Sequence, residues 1–183
     1  CVSCHKSENK NMMPEFYMDS PSLANVGGRL NKKWMAQWIA NPKKLNQHSH
    51  MPTLVNKKDA QHIAEFLSAK VDKDLIASVN GDSKRGSQLF YDLGCISCHT
   101  RPEENNTKGE RLLLSNLNNK FKAQALKEFL LSPEKLYKWT KMPNFNLSDQ
   151  EASDLTSFLL ERAKAPKIAG FKADAKVGHK LFT

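Results

Sequence analysis

Long apolar runs are missing from this chain. None exceeds four residues, Leu112 to Leu114 being typical, so no segment supplies the roughly 20 apolar residues of a membrane-crossing helix. The start carries no signal-peptide pattern, and a chain that opens on Cys1 is expected to be a processed product or a piece of something longer. Charge of one sign is not concentrated either. Twelve basic and 8 acidic residues lie up to Lys84 and 16 and 11 after it, so the net charge of +9 has no tail or block. Nucleic-acid binding calls for a concentrated basic patch with a recognisable motif; neither is present, and no nucleic-acid partner is expected. Even basicity leaves a solvated surface or steering toward an acidic partner. Strand-like alternation is also lacking. What is present suffices for a core: 39% apolar residues, with nine Phe and three Trp among 183 residues, exclude a disordered basic tail.

Cysteine is scarce but ordered. The four fall in two pairs, each followed at once by histidine: Cys1-Val-Ser-Cys4-His5 and Cys95-Ile-Ser-Cys98-His99. This is the attachment signature of c-type haem. Two thiols three positions apart on one helical turn reach the two vinyl groups on one porphyrin edge, and the adjacent imidazole turns to the iron. Zinc and a redox dithiol compete for the same residues. Structural zinc wants four ligands, which each pair would have to complete from afar. A dithiol of the thioredoxin kind wants a βαβ context. Two copies of the motif favour two haems c, with all four cysteines spent on thioether bonds.

The chain repeats itself with a period of 91 to 94 residues. Asn41-Pro42 and Met51-Pro52 recur as Ser132-Pro133 and Met142-Pro143. Ala60, Ile63, Phe66 and Leu67 recur as Ala152, Leu155, Phe158 and Leu159, and Ile76 to Phe90 recur as Ile168 to Phe182. A fixed period with matching residue types means copies of one fold. The pattern is helical throughout. It predicts helices over 83–93, capped by Asp82, and over 31–41, where Trp34, Met35, Trp38 and Ile39 fall at helical spacing and Pro42 stops them. A third spans 57–69, capped by Asn56, with Ile63, Phe66 and Leu67 on one face. Ser148-Asp-Gln-Glu151 is a capping box opening a helix with Ala152, Leu155, Phe158, Leu159 and Ala163 inward. Residues 5–22 and 99–111 read as loops.

Haem iron with histidine on one face is defined by its other face. Each copy holds one Met-Pro before its last helix, and recurrence at one repeat position sets Met51 and Met142 apart from Met12, Met13, Met18 and Met35, which have no counterpart. The expected ligand pairs are His5/Met51 and His99/Met142. His48 and His50 compete for the first iron; their counterparts are Trp139 and Lys141. His62 and His179 read as surface residues.

These motifs, together with Pro21-Ser-Leu23-Ala-Asn-Val-Gly27, Trp34 and Trp38, Gly86-x-x-Leu89-Phe90 and Gly94-Cys95, resemble class I cytochromes c, over residues 1 to about 163. The resemblance implies an all-α fold of two tandem modules, each wrapped on one covalently bound haem: residues 1–72, lacking the helix before the haem motif, and residues 82–164. Residues 174–183 then start a possible third repeat. It implies electron transfer without catalysis, redox partner proteins, and haem attachment outside the cytoplasmic membrane, in a periplasm or its equivalent. It further implies that the Pro21 carbonyl holds His5, with Leu112 at the matching place for His99. Trp38 and Phe129 wall the haem pockets, with a propionate open to the Trp38 N–H. Arg29 and Lys120 are either propionate partners or exposed charges. A diheme peroxidase and a segment of a larger redox enzyme are the competing functions. The 174–183 helix is expected to cover the stripe of Ile63, Phe66 and Leu67, coming from a neighbouring chain or a longer array; loose ends are the alternative.

Overall fold

A computed structural model of the chain describes residues 1–5, 20–71, 77–105, 111–138 and 140–183. Among them lie ten α-helices and no named strand: α1 (Val26–Arg29), α2 (Lys32–Ala40), α3 (Pro42–Leu45), α4 (Lys57–Ser68), α5 (Ser83–Asp92), α6 (Leu117–Lys120), α7 (Ala123–Leu131), α8 (Pro133–Leu136), α9 (Asp149–Arg162) and α10 (Ala175–Phe182). A single-residue parallel bridge joins His99 and Leu112. The chain divides into two compact units, Cys1–Lys73 with Ile168–Thr183, and Asp74–Lys167.

In the first unit α2 and α10 both pack on α4. Ala60 and Ala64 are wholly buried, and Ile63 and Leu67 join them in one apolar cluster with Trp34, Met35 and Phe182. Asn56 starts α4 by accepting the Asp59 N–H at 3.0 Å, satisfying one of the donors a helix start leaves unpaired. α2 ends at Ala40 because Pro42 has no N–H to continue the ladder, but Pro42 also opens α3 as its first residue, the place where a missing N–H costs nothing. Asp174 caps α10 through the Lys176 N–H at 2.7 Å. Gly178 lies against α4 so closely that a Cβ would overlap the His62 carbonyl. Phe182 is 3% exposed and its ring meets Phe66 at 5.5 Å.

The second unit is built alike. Asp82 caps α5 through the Lys84 and Arg85 N–H groups at 2.8 and 3.2 Å, and Gly86 lies against the Asp154 carbonyl of α9. Phe90 is buried on Phe158 at 5.7 Å. The capping box at the start of α9 is complete, Ser148 and Glu151 each accepting the other's backbone N–H. Ala163 is buried as expected, although it lies one residue past the helix. Asp154 is fully buried, and three groups balance its charge: the Asp82 N–H at 2.7 Å, the Gln150 amide at 2.9 Å and the Arg85 guanidinium at 3.2 Å.

The packing pairs of the two units correspond one for one: α10–α4 with α5–α9, α2–α4 with α7–α9, α2–α3 with α7–α8 and α1–α4 with α6–α9. The likeness reaches single bonds. The Asp82 N–H donates to Asp154, and the Asp174 N–H donates to His62 Nδ1 at 2.8 Å. One expectation is thereby corrected: the helix that packs on α4 at Phe66, within the predicted stripe of Ile63, Phe66 and Leu67, belongs to the same chain. His179 is exposed as expected, with its ring on Phe66 at 4.9 Å, and His62 is half-buried and accepts that backbone bond. Leu181 stays 38% exposed.

Candidate haem sites

Each C-x-x-C-H segment closes one helical turn. The His5 and His99 N–H groups donate to the carbonyls of Cys1 and Cys95 at 2.9 and 3.0 Å, and the Cys4 and Cys98 N–H groups donate to the same two carbonyls at 3.1 and 3.2 Å. The turn therefore presents two thiols and an imidazole from five residues. In the second unit it follows Gly94, whose φ of 73° is in the left-handed region that glycine adopts freely. None of the four cysteines is in a disulfide. Burial pushes the Cys95 thiol above its ordinary range, and the adjacent Cys98 adds to this against a backbone hydrogen bond. A redox dithiol needs the opposite shift. Among the described residues no three His, Cys, Asp or Glu side chains converge as metal ligands.

The histidines differ in what holds them. His5 Nδ1 bonds the Pro21 carbonyl at 3.0 Å, which puts the proton on Nδ1 and leaves the Nε2 lone pair for a metal. Burial draws this imidazole below its ordinary range while the Pro21 bond opposes. The Pro21 loop is itself tied down by Arg29, which donates to the Ser22 carbonyl and, at 3.2 Å, to that of Ala24. Arg29 is 5% exposed, so an exposed charge is not its role. In the second unit the Leu112 carbonyl accepts the Thr100 N–H at 3.0 Å. His99 Nδ1 is buried with no hydrogen-bond partner, although the Leu112 carbonyl lies close enough to offset in part the lowering that burial causes. Proline in the first loop and leucine in the second thus give one anchored ring and one loosely anchored ring.

Both methionines sit in the same local turn. The Met51 N–H donates to Ser49 Oγ at 3.2 Å and the Met142 N–H to Thr140 Oγ1 at 3.3 Å. The recurrence of a hydroxyl two residues before each Met-Pro was visible in the sequence as Ser49 and Thr140, but carries meaning only once the bond is seen. Met51 turns inward onto the apolar cluster of the first unit, as do Cys1, Leu30 and Trp38, whereas His48 and His50 are exposed. Trp38 stacks on Trp34 with ring centres 5.2 Å apart and gives its N–H to Met51 Sδ at 3.1 Å. Phe129, at the matching place, stacks on Phe121 at 6.2 Å and meets the Tyr137 ring edge-on at 5.9 Å. Lys120 lies over the Phe121 ring at 4.7 Å, and burial brings its ammonium down to about 8. Trp139, Met12, Met13, Met18 and Ile76 lie outside the described residues.

The donor set fits a covalently held haem: two free thiols and an imidazole from five residues at each turn, with the outward nitrogen of His5 left for a metal and the Met51 thioether beside apolar and aromatic side chains in the first unit. No described helix is long and apolar enough to cross a membrane. No curated protein and no solved structure matches the chain. Residues 83–163, which run from α5 through the second C-x-x-C-H to the end of α9, match the cytochrome c family.

Proposed function

We propose that the chain carries electrons on two haems c, one per unit, with His5 and Met51 as axial ligands of the first and His99 and Met142 of the second. The observation that carries the reading is the doubled local geometry. Both C-x-x-C-H segments close the same turn, both Met-Pro segments are tied by the same hydroxyl bond, and one of the two sets lies inside the residues that match the cytochrome c family. A bound haem supplies a one-electron couple between ferric and ferrous iron. The chain supplies the rest. Cys1 and Cys4, or Cys95 and Cys98, hold the porphyrin edge through thioether bonds. Pro21 orients the His5 ring and raises its basicity by accepting the Nδ1 proton. Met51 and Met142 would hold the iron with soft sulfur, which would favour the ferrous state and raise the potential. Trp38 and Phe129 supply apolar walls that keep water from the metal.

On this reading there is no substrate site and the chain is not an enzyme. Its partners are redox proteins, acidic ones given the +9 charge, and it works outside the cytoplasmic membrane. The intact mass is expected to exceed that of the polypeptide by two haems, with no thiol titrating in the native protein. Met51→Ala is expected to admit carbon monoxide to the first ferrous site and lower its potential, with the second site unchanged. A mass gain of one haem, or a wild-type protein that binds carbon monoxide at once, overturns the reading.

A further inference from the structure

The contact between Trp38 and Met51 has more in it than wall packing. Trp34 and Trp38 lie one helical turn apart on α2, and their rings stack at 5.2 Å with 17° between planes. Trp34 is buried, so the stack fixes the plane of the Trp38 indole and with it the direction of its one N–H. That direction ends on Met51 Sδ at 3.1 Å. The sulfur is held from its own side as well, by the Met51 N–H to Ser49 Oγ and by packing on the apolar cluster. An indole N–H is a donor without acceptor capacity, and a thioether is a weak acceptor. The bond persists because both partners are fixed before they meet.

A thioether sulfur has two lone pairs. With one engaged by the indole N–H, the other remains for a metal. The N–H withdraws electron density from the sulfur, and the loss is felt more by ferric iron, which carries the larger charge and relies more on ligand donation, than by ferrous iron. Hydrogen bonds of this outer kind are one of the levers by which a protein sets a haem potential. We infer that Trp38 is a tuning residue of the first haem site: its N–H on Met51 Sδ raises the potential of that haem, and it does so through the ligand without touching the metal. The inference rests on the reading of Met51 as an axial ligand. It displaces the expectation of a Trp38 bond to a propionate, since the single donor is already spent. The second unit has Phe129 at this position, which has no N–H to give.

The test replaces the N–H and leaves the ring. Trp38 is exchanged in the holoprotein for 3-benzothienylalanine, in which sulfur stands for the indole N–H, and separately by Trp38→Phe. Each haem is titrated potentiometrically, and the visible band of the methionine–ferric bond is followed alongside. Loss of the N–H is expected to shift the first site's ferric-to-ferrous ratio severalfold toward ferric at fixed potential. A tenfold shift would be a fall of 59 mV for a one-electron couple. The band is expected to be retained and the second midpoint to stay in place. An unchanged first midpoint in the benzothienyl protein, with the band intact, overturns the inference alone. A first site whose spectrum does not respond to Met51→Ala overturns the ligand reading and this inference with it.

Discussion

At the scale of single residues, two glycines do work that their helices would otherwise resist. Glycine in a helix interior costs about 0.5–1 kcal/mol against alanine, so Gly86 and Gly178 must return more than that. Each sits where its helix crosses a backbone carbonyl, that of Asp154 or of His62, with no room for a Cβ. Backbone cannot yield as a side-chain end can, and forced overpacking costs typically 1–3 kcal/mol. Gly86→Ala and Gly178→Ala are therefore each expected to destabilise, by about 1–2 kcal/mol net of the helix-propensity gain. Gly170 has only the far end of Lys33 nearby, at 3.9 Å, and Gly170→Ala is expected to be close to neutral. Thermal unfolding of the three variants checks the order, and a Gly178→Ala protein as stable as the wild type would mean that α10 does not lie against α4 in solution.

At the scale of elements, the attachment of α10 is expected to depend on acid. It is eight residues long, too short to be stable alone in water, and it holds by Phe182, Gly178 and the Asp174 cap. The N–H groups of Lys176 and Val177 keep the Asp174 carboxyl below its ordinary range, with the charges of His62 and Lys176 acting the same way and partial desolvation opposing. A carboxyl depressed in the folded state adds stability that is fully present above its unfolded pKa, about 4, and is lost as pH falls through the folded value. The protection of the α10 amides against hydrogen exchange, relative to the unstructured chain at the same pH, is thus expected to fall below about pH 4. Asp174→Asn keeps a capping oxygen and is expected to flatten that pH dependence. Equal acid sensitivity in the two proteins would remove Asp174 as the cause. The long helices α2, α4, α5 and α9 were legible in the sequence because their signals are local: Asn56, Asp82 and the Ser148–Glu151 box cap by bonds within three residues, and the apolar spacing follows within each helix. The four-residue helices α1, α3, α6 and α8 were not, since turns so short carry no period. Neither was the bond from Asp174 to His62, which joins positions 112 residues apart.

At the scale of the whole molecule, chemistry and folding were legible to different depths. The haem-type turns are written in five contiguous residues, so Cys1 to His5 and Cys95 to His99 fold as their spacing requires. The neighbours of the candidate ligands depend on long-range packing: Arg29 reads as a propionate partner or an exposed charge until its carbonyl partners are seen, and Trp38 as a wall with an N–H open to a propionate until that N–H is followed to Met51. Net charge stands apart from both, because it needs no fold to be felt. The +9 of the polypeptide is spread over the chain, and the four propionates of two haems would offset part of it. On the proposed function, what remains would act at a distance on an acidic partner, raising the rate of encounter more than the strength of the complex. Such steering weakens as the Debye length shrinks from about 30 Å at 0.01 M salt to about 8 Å at 0.15 M. Electron exchange between the holoprotein and a small acidic redox protein, followed by stopped flow, is expected to slow steeply over that range, while exchange with a neutral small-molecule oxidant stays level. The neutral oxidant separates the two causes of a salt effect: if both rates fall together, salt is acting on the haem sites themselves. If the acidic partner's rate is flat, the basic surface is solvated and steers nothing.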